Sequence, residues 1–168
     1  MLISALKQAL LQVDEILGIF VNMTPSLRQQ HYCEHRCGSH IRHIQDHFLA
    51  LKNGLATGVV DYNQRNRNAI TESDPQIAIE LNNDLLTWAD TIPQQDISLV
   101  VVSEIDCLQT VSDEFSSGLR RECLYLINHT IHHLAHIRLM LSQYHIDVPV
   151  WIGIAPGTAT WLRKTESY

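Results

Sequence analysis

Long apolar runs are missing from this 168-residue chain. No stretch approaches the roughly 18 apolar residues that a membrane-spanning helix needs, so none is predicted and no membrane partner is expected. The opening segment, MLISALKQALLQVDEILGIF, is broken by Lys7, Asp14 and Glu15, which makes it an amphipathic helix in expectation and not a signal peptide. Basic residues are scarce. Twelve Lys and Arg against 18 Asp and Glu leave a formal net charge of −6. Phosphate backbones are bound by basic faces, so nucleic acid is not an expected partner. The four cysteines, Cys33, Cys37, Cys107 and Cys123, come without an export signal. That combination points to free thiols in a reducing compartment and to a cytoplasmic protein. Internal repeats, low-complexity tracts and linker-like composition are also absent, so residues 1–168 read as one domain.

Two further absences bear on chemistry. The Glu-x-x-His pair of ferritin-type dinuclear iron sites does not occur, and inward-facing acids are few. Cys33 and Cys37 have a finger-like spacing and stand near His31, His35 and His40, but no second, separated Cys/His pair of the finger type accompanies them. Cys107 and Cys123 read as small apolar residues.

Helical periodicity is abundant. Leu2, Leu6, Ala9, Leu10, Val13, Ile16, Leu17 and Phe20 carry the spacing of a first helix over residues 2–22. Thr24-Pro25-Ser26 ends it. A second helix begins between Ser26 and Ser39 and runs to Leu55, with Gly58 as its cap. Residues 58–73 have no clear period and form a long connection. Asp74-Pro75 is an N-cap followed by proline at the first helical position, so a third helix runs from there to about Ile92, stopped by Pro93. Ile97–Val102 is β-branched and is expected to pair with Leu108–Val111 as a small hairpin. The longest helix spans Ser112 to Gln143, and Pro156 opens a short last one. The expected fold is all-α, a four-helix bundle with a small β-hairpin before the last long helix.

What is present in excess is histidine, and nine of the ten fall in two windows. His31, His35, His40, His43 and His47 occupy the first; His129, His132, His133 and His136 occupy the second. At about 100° per residue, His133 lies about 40° from His129 on one apolar stripe, while His132 turns away from it. The HxxxH pair His129/His133 is thus placed to share a metal from one helix face. On the second helix His47 and His40 border the apolar stripe, and His43 lies further off. One inward histidine from this helix and two from the last make a three-His site with open positions. His31, His35, His145 and His132 read as surface or hydrogen-bonded histidines. Glu122, two turns before His129 on the same stripe, is a candidate general base or an acceptor for a ligand histidine. Tyr62, Arg65 and Arg67 sit in the long connection, where they are candidates for binding an anionic substrate.

The strings His40-Ile-Arg-His-Ile-Gln-Asp-His47-Phe, Tyr62-Asn-Gln-Arg65-Asn-Arg67, Arg121-Glu122 and Asn128-His129-Thr-Ile-His-His133 resemble the DinB-like superfamily of metal-binding helical bundles. That superfamily includes YfiT-like proteins and bacillithiol or mycothiol S-transferases. The resemblance implies an up-down-down-up bundle and a divalent metal held by His47, His129 and His133. The chain departs from the thiol-transferase members after the second motif, where His133-Leu-Ala-His136-Ile replaces a His-Arg-Gly-Gln-type string. The expected function is a metal-dependent enzyme of hydrolase or thiol S-transferase type. Its cofactor would be zinc, nickel or iron and its substrate a small molecule. The apolar circumference of the first helix suggests a homodimer. Two alternatives stand beside this reading. One is a dinuclear iron, hemerythrin-like bundle; the other is a non-enzymatic stress-response or binding module with a structural metal.

Overall fold

A computed structural model describes residues 1–67 and 69–165. Helix α1 spans Leu2–Val21 and buries Leu6, Ala9, Leu10, Val13, Ile16, Leu17 and Phe20. The four-residue α2, Pro25–Arg28, is capped by the Thr24 hydroxyl, which accepts from Leu27 N. It runs into a π-helical turn at Gln29–Glu34. Helix α3 spans Cys37–Thr57 and ends at Gly58, whose φ of 81° is the left-handed C-cap that glycine adopts without strain. Strand β1, Val59–Asp61, follows at once. A 3-10 turn at Ile70–Glu72 leads to α4, Pro75–Ala89, whose first turn is capped by the Asp74 carboxylate. Strands β2, Ser98–Glu104, and β3, Ser112–Gly118, precede the longest helix, α5, Leu119–Ser142. Helix α6 covers Pro156–Thr165.

The three strands form one mixed sheet in the order β1-β2-β3. β1 pairs parallel with β2, with Val59 opposite Val100. β2 pairs antiparallel with β3, with Ser98 opposite Gly118. A parallel pair cannot be closed by a tight turn, and here α4 supplies the crossover between β1 and β2. The expected all-α four-helix bundle is therefore overturned. Among the described residues, six α-helices and a three-stranded sheet make a mixed α/β architecture.

The hairpin also differs in register from its expectation. Leu108–Val111 lies in the connecting loop, and the pairing strand is Ser112–Gly118. The last long helix consequently starts seven residues later than Ser112. Its first turn is held by Asp96, whose carboxylate accepts from Arg120 N at 2.9 Å. Phe115, placed on that helix by periodicity, is a half-exposed strand residue.

α1 lies against both α4 and α5, and α3 packs on α4 and α5. Asn82 of α4 donates to Leu10 O at 2.9 Å and to Asp14 Oδ1 at 2.7 Å, which ties the α1–α4 contact. The buried stripe of α1 is covered within one chain by α4 and α5. Among the described residues no helix is long and apolar enough to cross a membrane.

The sheet meets the helices at Gly54. A Cβ there would lie 2.5 Å from Val60 Cγ2 and 2.9 Å from Val59 O, the latter a backbone atom that cannot rotate away. Gly54→Ala gains at most about 1 kcal/mol in helix propensity and costs about 1–3 kcal/mol in overpacking. The expected outcome is a lower urea midpoint; an unchanged or raised midpoint would show that α3 and β1 separate freely.

Candidate metal centre

Helices α3 and α5 face each other with histidines on both sides. His40, His43 and His47 recur at i, i+3 and i+7 on α3, and His129 and His133 at i, i+4 on α5. One ring nitrogen from each of His43, His129 and His133 lies within 4.8 Å of the other two. The Nε2 atoms of His129 and His43 are 3.2 Å apart. Two nitrogens bound tetrahedrally at zinc-like bond lengths would stand about 3.3 Å apart. The donor set thus fits a single divalent ion with little rearrangement, and neither Cys nor carboxylate joins it among the described residues.

The structure brings together His129 and His133 as the sequence predicts, but with His43 as the third donor. His47 is buried one turn further along α3. Its ring stacks on His129 with centroids 4.1 Å apart at 13°, and on Tyr62 at 4.9 Å and 20°. His40 Nδ1 lies 2.9 Å from His133 Nδ1, where it is placed to fix the tautomer and orientation of that ring. His43 was passed over because it falls off the apolar stripe; the i, i+3, i+7 run of histidines was the signal that could have found it. His132 is exposed. His31 and His35 form a separate cluster with Tyr144, the rings of His31 and Tyr144 being 4.7 Å apart.

The other candidate residues divide. Glu122 is fully buried, and three donors hold its carboxylate: the Tyr62 hydroxyl at 2.8 Å, Arg121 Nη1 at 3.0 Å and the Ser117 hydroxyl. Its link to the histidines runs through Tyr62, whose ring lies on His47. Tyr62 is largely buried, directly after β1. With Val101, Phe115, Ser117, Arg121 and Tyr125 it borders a cavity of about 430 Å³ on the sheet side. Arg65 is exposed and borders a second cavity of about 300 Å³, lined also by Arg36, Ser39, Arg42 and the His40, His43 and His133 rings. Arg67 is exposed and is not among those lining residues.

Burial dominates the electrostatics. It pushes His43 and His129 down to about 4, with nearby imidazolium and Arg65 charge adding to the effect. His47 and His133 are pushed down to about 2 by the same causes, His129 being the first of the charged neighbours of each. Burial and the charges of His136 and Arg36 also lower His40. These imidazoles are neutral at pH 7, with lone pairs available to a metal.

No protein-family model matches the chain, and no solved structure matches it. The chain is similar to a protein named FK506-binding protein 5 from Rhizopus delemar, at 31% identity over 111 residues. The aligned stretch is 63% of this chain and 28% of that protein, so the present chain spans well under half the length of that relative.

The buried imidazoles set a pH dependence. In the unfolded chain histidine takes a proton near pH 6.5, whereas in the metal-free fold these rings stay neutral to well below that. The unfolded state binds more protons in that window, so stability falls as pH drops through it. The urea midpoint of the metal-free chain is expected to fall from pH 6.5 to 5, above the range of ordinary carboxylates. The fall should be shallower in His43→Gln/His129→Gln. Equal slopes in both chains would contradict the account.

Proposed function

We propose that this chain holds one divalent transition metal on His43, His129 and His133 and uses it in a metal-dependent reaction on a small molecule. The hydrolase and thiol S-transferase classes suit the site best. The observation that carries the reading is the convergence of three neutral imidazole nitrogens within 4.8 Å, with no charged protein ligand among the described residues. Such a metal, when bound, supplies a Lewis acid that brings the pKa of a coordinated water or thiol toward neutrality.

The residues around the trio have separable tasks. His40 orients His133. His47 and Tyr62 stack beside His129 and wall it from the core. Glu122 anchors Tyr62 through its hydroxyl, a positioning task in place of the general-base role that its sequence position suggested. Three neutral ligands leave coordination positions open, which favours a reactive site over a closed structural one. A dinuclear iron centre would want bridging carboxylates, and the carboxylates nearest these helix faces are engaged: Asp46 by Arg42 and Asn66, Glu122 by Tyr62, Ser117 and Arg121.

The motif resemblance to the DinB-like superfamily supports a metal on these two helices but points to His47 where the geometry favours His43. Equilibrium dialysis against zinc separates the two. The expected result is one zinc per chain in the wild type. His43→Ala and His129→Ala/His133→Ala should lose binding while circular dichroism stays helical. His47→Ala should keep one zinc, with a loss no larger than the roughly 10–100-fold typical of residues that support a ligand. A wild-type chain that takes up no zinc, nickel or iron would overturn the proposal. Loss of zinc in His47→Ala with retention in His43→Ala would overturn the ligand set.

A further inference from the structure

The 300 Å³ cavity against the histidine trio is unlike the rest of this acidic chain. Its wall carries three guanidinium groups, from Arg36, Arg42 and Arg65. Arg42 is neutralised in place. Its Nη1 donates to Asp46 Oδ2 at 2.9 Å and its Nε to Glu72 Oε1 at 2.7 Å. Arg36 and Arg65 have no carboxylate partner and no side-chain hydrogen bond among the described residues, although both line the same hollow. Three guanidinium groups against two carboxylates leave the wall with a net positive charge, in a protein whose formal charge is −6.

The backbone beside each arginine is fixed. Arg36 is the N-cap of α3, at a left-handed φ of 62°, and its side chain lines the cavity. Arg65 follows β1, and the residue next to it is pinned to α3. Asn66 N donates to Asp46 Oδ2 at 3.1 Å and its side-chain amide to Asp46 Oδ1 at 2.8 Å. The loop therefore cannot carry Arg65 away without breaking two bonds to a buried carboxylate.

From this geometry we infer that the cavity is the anchor for a phosphate group, carried by the small-molecule substrate of the metal site. Arg36 and Arg65 supply the two forks. The inference rests on the metal reading for the word substrate, but not for the binding itself. Two guanidinium forks match a phosphate dianion in charge and in hydrogen-bonding geometry. The volume lies at the low end for ligand pockets and accommodates a phosphate group. A bound divalent ion on three neutral imidazoles would add two further positive charges to one wall, so metal and phosphate should reinforce each other.

The test is calorimetric titration of the full chain with inorganic phosphate, metal-free and then loaded with one zinc. Zinc affinity is measured separately by dialysis. Arg36→Gln and Arg65→Gln are each expected to weaken phosphate by about 10-fold, the size of a lost charged hydrogen bond. The double variant should abolish detectable binding. Arg67→Gln, on the same loop but outside the cavity, should leave phosphate affinity unchanged, and all variants should keep wild-type zinc affinity. No phosphate binding by the wild type, or equal binding by the wild type and the double variant, would overturn the inference while leaving the metal reading intact. Failure of zinc uptake would overturn the metal reading alone, since the arginine dependence of phosphate binding is measured on the metal-free chain.

Discussion

Imidazoles from two helices are pressed together across the α3–α5 contact, and they can be so pressed only while uncharged. His43 meets His47, His129 and His133 with ring centroids between 4.5 and 4.9 Å, and His40 meets His133 and His136 at 5.1 and 4.7 Å. Protonating several of them at once would set like charges against each other where partial burial already disfavours the charged form. Among the described residues no carboxylate enters the trio to relieve that repulsion. The packing of the two helices and the chemistry of the cluster are thus one constraint. Neutral rings let the helices close, and closed helices keep the rings neutral and their lone pairs convergent.

The sheet serves this arrangement. Tyr62 N donates to Val102 O at 3.0 Å, which continues the β1–β2 pairing and fixes where the Tyr62 ring enters the core. That ring then lies on His47, and its hydroxyl finds Glu122 at the start of α5. A buried carboxylate without donors would be costly; here it receives three. Strand β1 therefore does two tasks despite its three residues. It seats the tyrosine behind the histidines, and it delivers the loop that carries Arg65 to their open side.

The helices were largely legible because their signals are local. Asp74-Pro75 starts α4 and Gly58 closes α3 as chain chemistry dictates, and the α1 stripe is buried from Leu6 to Phe20. The sheet was not legible, for two physical reasons. β1 is too short to show a period. β3, with the sequence SDEFSSG, has a single large apolar residue, so its strand conformation comes from pairing with β2 and not from its own hydrophobic pattern. Missing β3 let the helix be extended backward over Phe115. At the site, the HxxxH pair was legible because both residues share one helix. The third donor depends on the rotation of α3 against α5, a tertiary quantity. The stripe leaves both His40 and His47 open and the motif resemblance points to His47, whereas the ring nitrogen that approaches those of His129 and His133 belongs to His43, further off the stripe. Arg36 and Arg42 gain their meaning only from the hollow between α3 and the loop after β1.

The central claim is that three imidazoles and no other protein group define the metal centre. X-ray absorption fine structure of the chain reconstituted with one zinc tests it directly. The account predicts a first shell of three imidazole nitrogens, with light oxygen scatterers completing the coordination and no sulfur. A shell of four imidazoles, one containing cysteine sulfur, or one dominated by carboxylate oxygen would contradict it.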